Sequence, residues 1–311
     1  MTPIDLRFGG YQGAASVHSR AGNVFGEKLA DELGGAVNFT FDANIVERGR
    51  KAADLLSMVE TGEIDGCYFS SSYLAGRVPE LGIFDQHFVV PDRAKAYAIL
   101  DGSLGKRLAA LVESSTGYVV LDYWDNGFRH ISNGRHPILQ AEDCKGLKIR
   151  TLANEHHQRV FRSLGFEPRA IDVRDLPAAV ADGTVDAQEN PLTNIYNFGI
   201  HRTHKYITLT RHLLGVAMVL FNKDRVRSWP ADFRTGAETA LRNATAAQRQ
   251  FAEDDDRICA EKLIADGAEI HELDSAQRET FVAATRDEVA KTRAGFDADL
   301  VALFDENLTR T

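Results

Sequence analysis

Three polar side chains stand at the ends of predicted strands, and their types suit the capture of an anion. Residues 146–150, GLKIR, alternate apolar and basic side chains as a short strand does, and this strand leads to Arg150. Arg129 follows an earlier strand, and Asn190 closes a later one. An arginine offers a planar fork of N–H donors that matches a carboxylate. The pattern indicates a site for a small carboxylate, although spacing alone also allows each arginine to be ion-paired within the protein and Asn190 to tie its own loop.

The segment 146–191 positions these side chains, and its pattern is β-α-β-α-β. Asn154 is a suitable N-cap for a first helix over 155–164, and a second helix covers about 174–181. The last strand then leads to Asn190. Open parallel sheets bind ligands in the crevice at the carboxyl ends of their strands. We therefore expect a ligand site at that edge of the sheet.

Residues 4–72 follow the same order of strands and helices. The junction 59–66, VETGEIDG, matches 180–187, VADGTVDA, because in each a helix end is followed by glycine, a β-branched residue and an aspartate that enters a strand. We interpret the match as two similar α/β lobes, although joints of this kind also look alike without any repeat. Three residues that follow strands of the first lobe become candidates for ligand contact: Tyr11, Gln12 and Ser70.

A long helix is predicted near the C-terminus. Residues 237–266 contain neither glycine nor proline and repeat apolar side chains at helical spacing. At 1.5 Å per residue such a helix is about 45 Å long, more than one compact domain spans, so we expect it to brace both lobes. The predicted fold class is α/β and bilobal, with a hinge and a ligand cleft between the lobes. We assign 1–126 with about 214–252 to lobe I, and 127–213 with about 253–311 to lobe II.

The composition argues against several classes of function. The 311 residues carry a net charge of −9 without a basic run, so nucleic acid and anionic membranes are not expected partners. No apolar run approaches the roughly 20 residues that cross a bilayer. The first residues lead straight into a strand pattern, so the protein is cytoplasmic or its signal peptide was removed. The three cysteines show neither disulfide nor metal spacing, and we expect them to be buried free thiols.

No catalytic motif is visible, and we expect neither enzymatic activity, nor a cofactor, nor a metal. The chain lacks a nucleophile elbow, a phosphate-binding loop and a dinucleotide fingerprint. His156 and His157 would point about 100° apart on a helix, which is poor geometry for chelation. His201 and His204 are spaced for one helical face, but without a third ligand we interpret them as solvated surface histidines.

Several motifs together resemble the extracytoplasmic solute-binding subunit of tripartite ATP-independent periplasmic (TRAP) transporters, the DctP-type family. They are residues 123–129, YWDNGFR, residues 146–150, GLKIR, and residues 186–191, DAQENP. The segment 78–88, in which VPEL precedes FDQHF, is similar to a further family pattern, with glutamine and histidine in place of the usual residues. The resemblance runs almost end to end. It implies a fold of the periplasmic-binding-protein type, with two α/β lobes linked by crossing strands and a long helix packed across both.

The resemblance also implies roles for individual residues. Arg150 matches the family's signature arginine, which forms a salt bridge with the ligand carboxylate. Arg129 matches a second ligand-facing arginine, and Asn190 matches an asparagine that hydrogen-bonds the acid. His212 falls where many members carry a histidine, within a segment that departs from the family pattern. Pocket-lining positions whose type varies in the family are candidates for ligand specificity: Tyr11 and Ser70.

The implied function is a periplasmic receptor that binds a small organic acid and delivers it to small and large membrane subunits. We expect a monomer whose signal peptide has been removed. The identity of the acid is open, because a C4-dicarboxylate, a sugar acid or an oxo acid would fit two arginines. An aromatic carboxylate could stack on aromatic residues near the cleft, which are equally suited to the core: Tyr11, Phe69, Tyr73, Trp124 and Phe128. A stand-alone sensor for a signalling partner and an enzyme on the same fold are the alternative functions.

Overall fold

The computed structural model describes residues 2–309, in which strands and helices alternate. The strands are β1 (Ile4–Gly9), β2 (Val37–Asp42), β3 (Gly66–Ser70), β4 (Tyr118–Asn133), β5 (Lys148–Thr151), β6 (Glu167–Ala170), β7 (Ala187–Asn190), β8 (Tyr206–Asn222) and β9 (Glu269–Glu272). The helices are α1 (Val17–Leu33), α2 (Asp54–Glu60), α3 (Arg93–Asp101), α4 (Ser103–Ser115), α5 (Glu155–Ser163), α6 (Leu176–Ala181), α7 (Leu192–Asn197), α8 (Lys223–Ser228), α9 (Ala231–Ala265), α10 (Ser275–Arg293) and α11 (Ala298–Thr309).

The chain divides into two compact units, which confirms the prediction of a bilobal α/β fold. Unit 1 is built from three segments: Met1–Ser71, Lys106–Asn126 and Val216–Asp254. Unit 2 is also built from three segments: Ser72–Gly105, Gly127–Gly215 and Asp255–Thr311.

Each unit orders its strands in the same way. In unit 1 the order is β2-β1-β3-β8, in which β1 is parallel to β2 and β3, and β3 is antiparallel to β8. In unit 2 the order is β6-β5-β7-β4, in which β5 is parallel to β6 and β7, and β7 is antiparallel to β4. An additional strand, β9, pairs in parallel with the first part of β8. The shared order explains why two stretches of the sequence repeat one pattern.

Two aspartates that occupy matching places in the sequence repeat make the same contacts. The Asp65 carboxylate accepts the backbone N–H of Arg7 at 2.7 Å, and the Asp65 N–H donates to the Arg7 carbonyl at 2.9 Å. Asp186 forms the same pair of bonds with Lys148, at 3.0 and 2.8 Å. Each carboxylate also accepts from an arginine side chain. Each aspartate therefore links two strands of its repeat through hydrogen bonds. Asp65, just before β3, binds β1 in unit 1, and Asp186, just before β7, binds β5 in unit 2.

The core of unit 1 lies between α1 and its sheet. The N-cap of α1 is Ser16, and the residues of the helix that face the sheet are spaced four apart and buried, as in an amphipathic helix: Ala21, Phe25 and Leu29. Phe25 meets Phe8 of β1 edge to face, with ring centroids 5.7 Å apart. This packing holds the loop after β1 in a fixed place relative to the helix.

Two strands are longer than the sequence predicts. The pattern predicts an end near residue 124, but β4 runs on through Arg129, which thus lies inside a strand rather than after it. Gly127 permits the continuation because it adopts a φ of 78°, and a Cβ at this position would lie 2.5 Å from the side chain of Pro191. The strand β8 is also continuous, although the sequence pattern predicts two separate strands, over 206–210 and 213–221.

One segment belongs to a different unit than the sequence predicts. We assign 72–105 to lobe I, whereas it packs in unit 2. The cause is a set of hydrogen bonds to the Asp85 carboxylate, which accepts from Ser72 Oγ at 2.6 Å and from Asn154 Nδ2 at 2.9 Å. Because Asn154 is the N-cap of α5, these bonds tie the segment to the first helix of unit 2.

The predicted long helix is α9, which has 35 residues. Its residues up to Asp254 belong to unit 1 and the rest to unit 2, so the prediction of one helix shared by both lobes is confirmed. The strands β4 and β8 also pass from one unit to the other, and each does so next to a glycine, Gly127 in β4 and Gly215 in β8. The chain thus changes unit within regular elements.

The sequence predicts the burial of the cysteines correctly but not that of two histidines. The three cysteines are free and buried, as expected. The prediction that His201 and His204 are solvated is wrong, since the two residues are 4% and 1% exposed. Each has a polar contact that offsets its burial, His201 with Asp266 at 3.2 Å and His204 with Ser132 at 3.4 Å. Across residues 2–309, no helix is long and apolar enough to cross a membrane.

A substitution of Gly10 tests how tightly the loop after β1 packs in unit 1. A Cβ at Gly10 would lie 2.5 Å from the carbonyl oxygen of Ala43 and 2.6 Å from Cε1 of Tyr68. We expect Gly10→Ala to lower the free energy of unfolding by about 1–3 kcal/mol, as overpacking does. The matched control in the same loop is Gly13→Ala, because nothing lies within 4 Å of a Cβ at Gly13. Urea unfolding would contradict the packing described here if both variants unfold at the same denaturant concentration.

Candidate functional site

The strand β5 carries Arg150 into the interior of unit 2, where the residue is 1% exposed. Its Nε donates to the carbonyl oxygen of Ile171 at 2.8 Å. Its Nη2 is buried and has no hydrogen-bond partner among the residues that the structure describes. Burial lowers the pKa of Arg150, although a guanidinium stays protonated near neutral pH. A buried cation costs free energy unless an anion pairs with it, and contact of Arg150 with a ligand carboxylate stays a prediction.

Tyr73 lies beside Arg150. Its hydroxyl hydrogen-bonds to the Arg150 side chain, and it is also within electrostatic reach of Arg129. Burial raises the pKa of Tyr73 by more than the two guanidinium groups lower it, so the phenol is neutral and can donate a hydrogen bond. The sequence indicated Tyr73 only as an aromatic residue near the cleft, because its segment was assigned to the other lobe.

Arg129 of β4 and Glu189 of β7 form a buried ion pair, with side chains 3% and 0% exposed. Arg129 Nε donates to Glu189 Oε2, and Nη2 donates to Oε1 and to the Glu189 carbonyl, both at 2.7 Å. Burial opposes the charge of Glu189, but Arg129 and His212 outweigh this effect and hold the pKa of Glu189 well below its usual value. Arg129, which the sequence predicts to face the ligand, therefore already has a carboxylate partner within the protein.

Asn190 and His212 complete the cluster around Glu189. Asn190 Oδ1 accepts from Arg129 Nη2 at 3.3 Å, and its Nδ2 donates to Gln188 Oε1 at 2.5 Å. His212 Nε2 lies 3.4 Å from Glu189 Oε2. Burial lowers the pKa of His212, so this ring is neutral at pH 7. The structure thus gathers the predicted site residues of unit 2, with Arg150 within electrostatic reach of Glu189 and Arg129.

The other predicted contacts lie in unit 1, around Tyr68. The Tyr68 hydroxyl accepts the backbone N–H groups of Tyr11 and Gln12, at 3.2 and 3.1 Å. The rings of Tyr11 and Tyr68 have centroids 5.2 Å apart. Ser70 ends β3 and is buried, and the next residue, Ser71, has a buried Oγ without a partner in the described part of the chain. Contact of Tyr11, Gln12 and Ser70 with a ligand stays a prediction.

Two of the aromatic candidates belong to the core. Trp124 is 0% exposed, and its indole N–H donates to Thr245 Oγ1 at 3.0 Å. Phe128 packs against Ala96 and Leu214. An indole without exposed surface, whose single donor is already bonded, has no group left for a ligand. The structure therefore gives Trp124 a place in the core and does not support its predicted role in binding.

A cluster of four buried histidines adjoins Glu189, formed by His87, His156, His157 and His212. The His87 ring stacks on His212 with centroids 5.3 Å apart and meets His157 at 5.0 Å. Burial, and then repulsion among the rings, lowers the pKa of His87 well below its usual value and the pKa of His156 to about 4. The sequence did not reveal this cluster, because its members come from three distant segments. No group of three or more histidine, cysteine or acidic residues within 2–309 has a geometry that could hold a metal ion.

Comparison with protein families identifies the class of protein that this fold and site define. Residues 8–294 match the model of "Bacterial extracellular solute-binding protein, family 7", the DctP family. The match covers most of the chain, so the protein belongs to this family. It is a solute-binding protein of the TRAP class and not an enzyme, as the sequence motifs predict.

Three known proteins illustrate the similarity. The 2,3-diketo-L-gulonate-binding periplasmic protein YiaO of Escherichia coli (strain K12) is 27% identical over 265 residues, 85% of this chain and 80% of that protein. The C4-dicarboxylate-binding periplasmic protein DctP of Rhodobacter capsulatus is 28% identical over 219 residues, 69% of this chain and 65% of that protein. The crystal structure of a sugar acid binding protein from Advenella mimigardefordensis strain DPN7T, in complex with galactonate, superposes with a TM-score of 0.93 at 26% identity and covers 99% of both chains.

The histidine cluster predicts a loss of stability on acidification. A histidine whose pKa is lowered by folding binds fewer protons in the folded than in the unfolded state, so its contribution is complete above about pH 6.5 and declines as the pH falls toward the folded value. For His156, with a pKa of about 4, the decline at pH 5 is roughly 2 kcal/mol. We expect the Tm to fall between pH 7 and pH 5.

Two histidine variants test the cause of this pH dependence. His156→Gln should flatten the profile of Tm against pH, because glutamine does not titrate. The control is His136→Gln, which changes an exposed histidine and should leave the slope as it is. A profile that is equally steep in all three proteins would show that His156 does not contribute.

Proposed function

We propose that this protein is the periplasmic receptor of a TRAP transporter and that it binds a small organic acid through a carboxylate. The observation that carries the proposal is the buried guanidinium of Arg150, whose Nη2 has no partner in residues 2–309. A ligand carboxylate would accept the free N–H groups and cancel the buried charge. The neutral Tyr73 hydroxyl beside it offers a hydrogen bond to the same ligand.

The ligands of related proteins support this class of solute. The three relatives described above bind a sugar acid in two cases and a C4-dicarboxylate in the third, according to their names. All three ligands are small acids that carry at least one carboxylate. An aromatic acid has less support than the sequence suggested, because Trp124 and Phe128 lie in the core of the protein.

The partners and location follow from the class of transporter. We infer that the protein works in the periplasm as a monomer and delivers its acid to the small and large membrane subunits of the transporter. Binding would act by population shift, since a ligand that prefers one conformation of a two-lobed receptor raises the population of that conformation. The membrane subunits would then recognise the ligand-bound form.

Replacement of Arg150 tests the proposal. We expect Arg150→Ala to weaken the binding of the acid by more than about tenfold, because the buried carboxylate would lose its charged partner. Arg150→Lys should also bind poorly, since an ammonium group does not reproduce the planar fork. The measurement is titration calorimetry with the acid that gives the largest thermal shift in a screen of sugar acids, oxo acids and dicarboxylates.

The matched control is Arg169→Ala. Arg169 pairs in register with Arg150 on the neighbouring strand β6, but its side chain is 53% exposed and contacts Glu167. Its loss should leave the affinity unchanged. The assignment of Arg150 fails if Arg150→Ala and Arg169→Ala bind the acid equally well.

A further inference from the structure

We propose that residues 85–88 form an acid-sensitive latch, which is closed against the helices α5 and α10 at neutral pH and opens when the pH falls toward 5, while the rest of unit 2 stays folded. The latch is a conformational device and does not depend on the proposed binding of an acid. It consists of one loop, the buried ring of His87 within it and the strained residue that follows. Its sequence, DQHF, includes the glutamine and the histidine that depart from the family pattern.

The backbone carbonyl of Asp85 connects the latch to two imidazole rings. It accepts hydrogen bonds from His87 Nδ1 and from His156 Nε2, each at 3.0 Å. The Nδ1 atom of the His156 ring lies 2.7 Å from Thr292 Oγ1 of α10. Because a carbonyl can only accept, Nε2 is the donor of the neutral His156 ring and Nδ1 is its acceptor. A chain of hydrogen bonds thus runs from the latch through α5 to α10, and it requires the neutral form of His156.

The ring of His87 has no partner for a second proton while the latch is closed. Its Nδ1 donates to the Asp85 carbonyl, and its buried Nε2 has no hydrogen-bond partner among residues 2–309. The ring stacks on His212 and meets His156 and His157 edge to face, with centroids 5.7 and 5.0 Å away. A protonated His87 would place an unsatisfied N–H group and a charge among these rings, which is costly in a buried site. Burial, and then repulsion from the other rings, accordingly lowers its pKa well below the usual value.

The charged groups around the cluster do not stabilise a proton on His87. Two carboxylates lie nearby, and each contacts a different histidine. Asp85 Oδ1 lies 3.4 Å from His157 Nε2, and Glu189 Oε2 lies 3.4 Å from His212 Nε2. Within the described part of the chain neither carboxylate forms an ion pair with His87. The other titratable side chains on the surrounding elements, with the carboxylates that pair with them, are Arg129 (with Glu189), the neutral His130, Arg159 (with Glu288), Arg162 (with Glu155), Arg211 (with Glu272), Arg278, and Arg293 (with Asp305).

Phe88, the last residue of the latch, stores backbone strain. Its φ is 64°, in the left-handed region that a bulky side chain rarely adopts, and such a conformation costs free energy. Its N–H donates to the carbonyl of His212 at 2.7 Å, and its ring lies 5.1 Å from the Arg278 guanidinium and 6.3 Å from the Phe281 ring. Residues 86–92 contain neither helix nor strand. The latch can therefore open without breaking a regular element, and opening would relieve the strain.

Acid favours the open form because opening exposes His87 to water, where the pKa of a histidine is about 6.5. The closed form binds fewer protons than the open form, so the latch is most stable above about pH 6.5 and loses stability as the pH falls. At pH 5, a histidine that titrates only in the open form raises the open population about thirtyfold over its value at neutral pH. Release of His156, whose pKa in the closed form is about 4, would add to this effect.

Hydrogen–deuterium exchange of the full chain, followed by mass spectrometry at about pH 7.5 and pH 5, measures the opening. Each exchange rate is divided by the intrinsic rate at the same pH, so that the protection of a segment can be compared between the two conditions. We expect peptides that cover 85–88 to lose protection by at least about tenfold at the lower pH. Peptides that cover β5 should stay protected throughout the labelling at both pH values.

Two replacements of His87 test whether its ring is the trigger. His87→Phe keeps a ring that can stack on His212, and His87→Gln keeps an N–H group that can donate to the Asp85 carbonyl. Neither new side chain titrates, so we expect the pH-dependent loss of protection at 85–88 to shrink by about tenfold in both variants. The matched control is His136→Gln, which changes an exposed histidine and should behave like the native protein.

Three results would overturn the inference. The first is a loop that is as well protected at the lower pH as at the higher one in the native protein. The second is a loss of protection in β5 together with the loop, because the whole unit would then unfold and no latch would exist. The third is an unchanged pH dependence in the folded His87 variants, which would place the trigger elsewhere. If neither variant folds, the comparison of the loop with β5 in the native protein decides.

Discussion

A buried guanidinium with an N–H group that has no hydrogen-bond partner within residues 2–309, that of Arg150, is the constraint on which the cluster in unit 2 depends. Protein interiors tolerate a guanidinium when a carboxylate pairs with it, and Arg129 with Glu189 follows that rule. Arg150 lies within electrostatic reach of the same pair and does not follow it. The strand β5 and the backbone carbonyl of Ile171 hold the group in place at the expense of its solvation. Such an arrangement costs free energy in the unliganded protein, and the proposed ligand carboxylate would offset that cost.

The two units share one strand topology but carry different side chains at the ends of their strands. In both, a glycine turn and an aspartate join the third strand of the repeat to the first, and the same strand order follows. At the ends of the corresponding strands, however, unit 2 carries Arg150 and Asn190, whereas unit 1 carries Tyr11 and Ser70. The charged candidates for ligand contact thus lie in unit 2, and the candidates in unit 1 are neutral polar residues. The scaffold is conserved within the chain while the side chains at strand ends are not.

The sequence predicted those features that depend on local pattern. The short strand β5 alternates apolar and basic residues, so the position of Arg150 at its end could be read directly, and the length of α9 follows from helical spacing. The pair of Arg129 and Glu189 could not be derived, because it depends on the register of two antiparallel strands far apart in the chain. The assignment of 72–105 failed for a similar reason, since its hydrogen bonds to Asn154 are long-range contacts. The sequence alone could not decide between a binding role and a place in the core for Trp124, because an aromatic residue at a predicted strand end suits both.

The way in which the chain passes between units has a consequence for its folding. The changes of unit fall inside regular elements, among them α4, β4, β8 and α9, so neither unit is a continuous piece of the chain. The sheet of unit 1 requires β8, whose residues 217–221 pair with β3 at residues 66–70. Contacts between such distant segments form slowly because a long loop must close first. During synthesis, unit 1 therefore cannot complete its core until residues near Asp254 have left the ribosome, and a fragment that ends before β8 would expose the unpaired edge of β3.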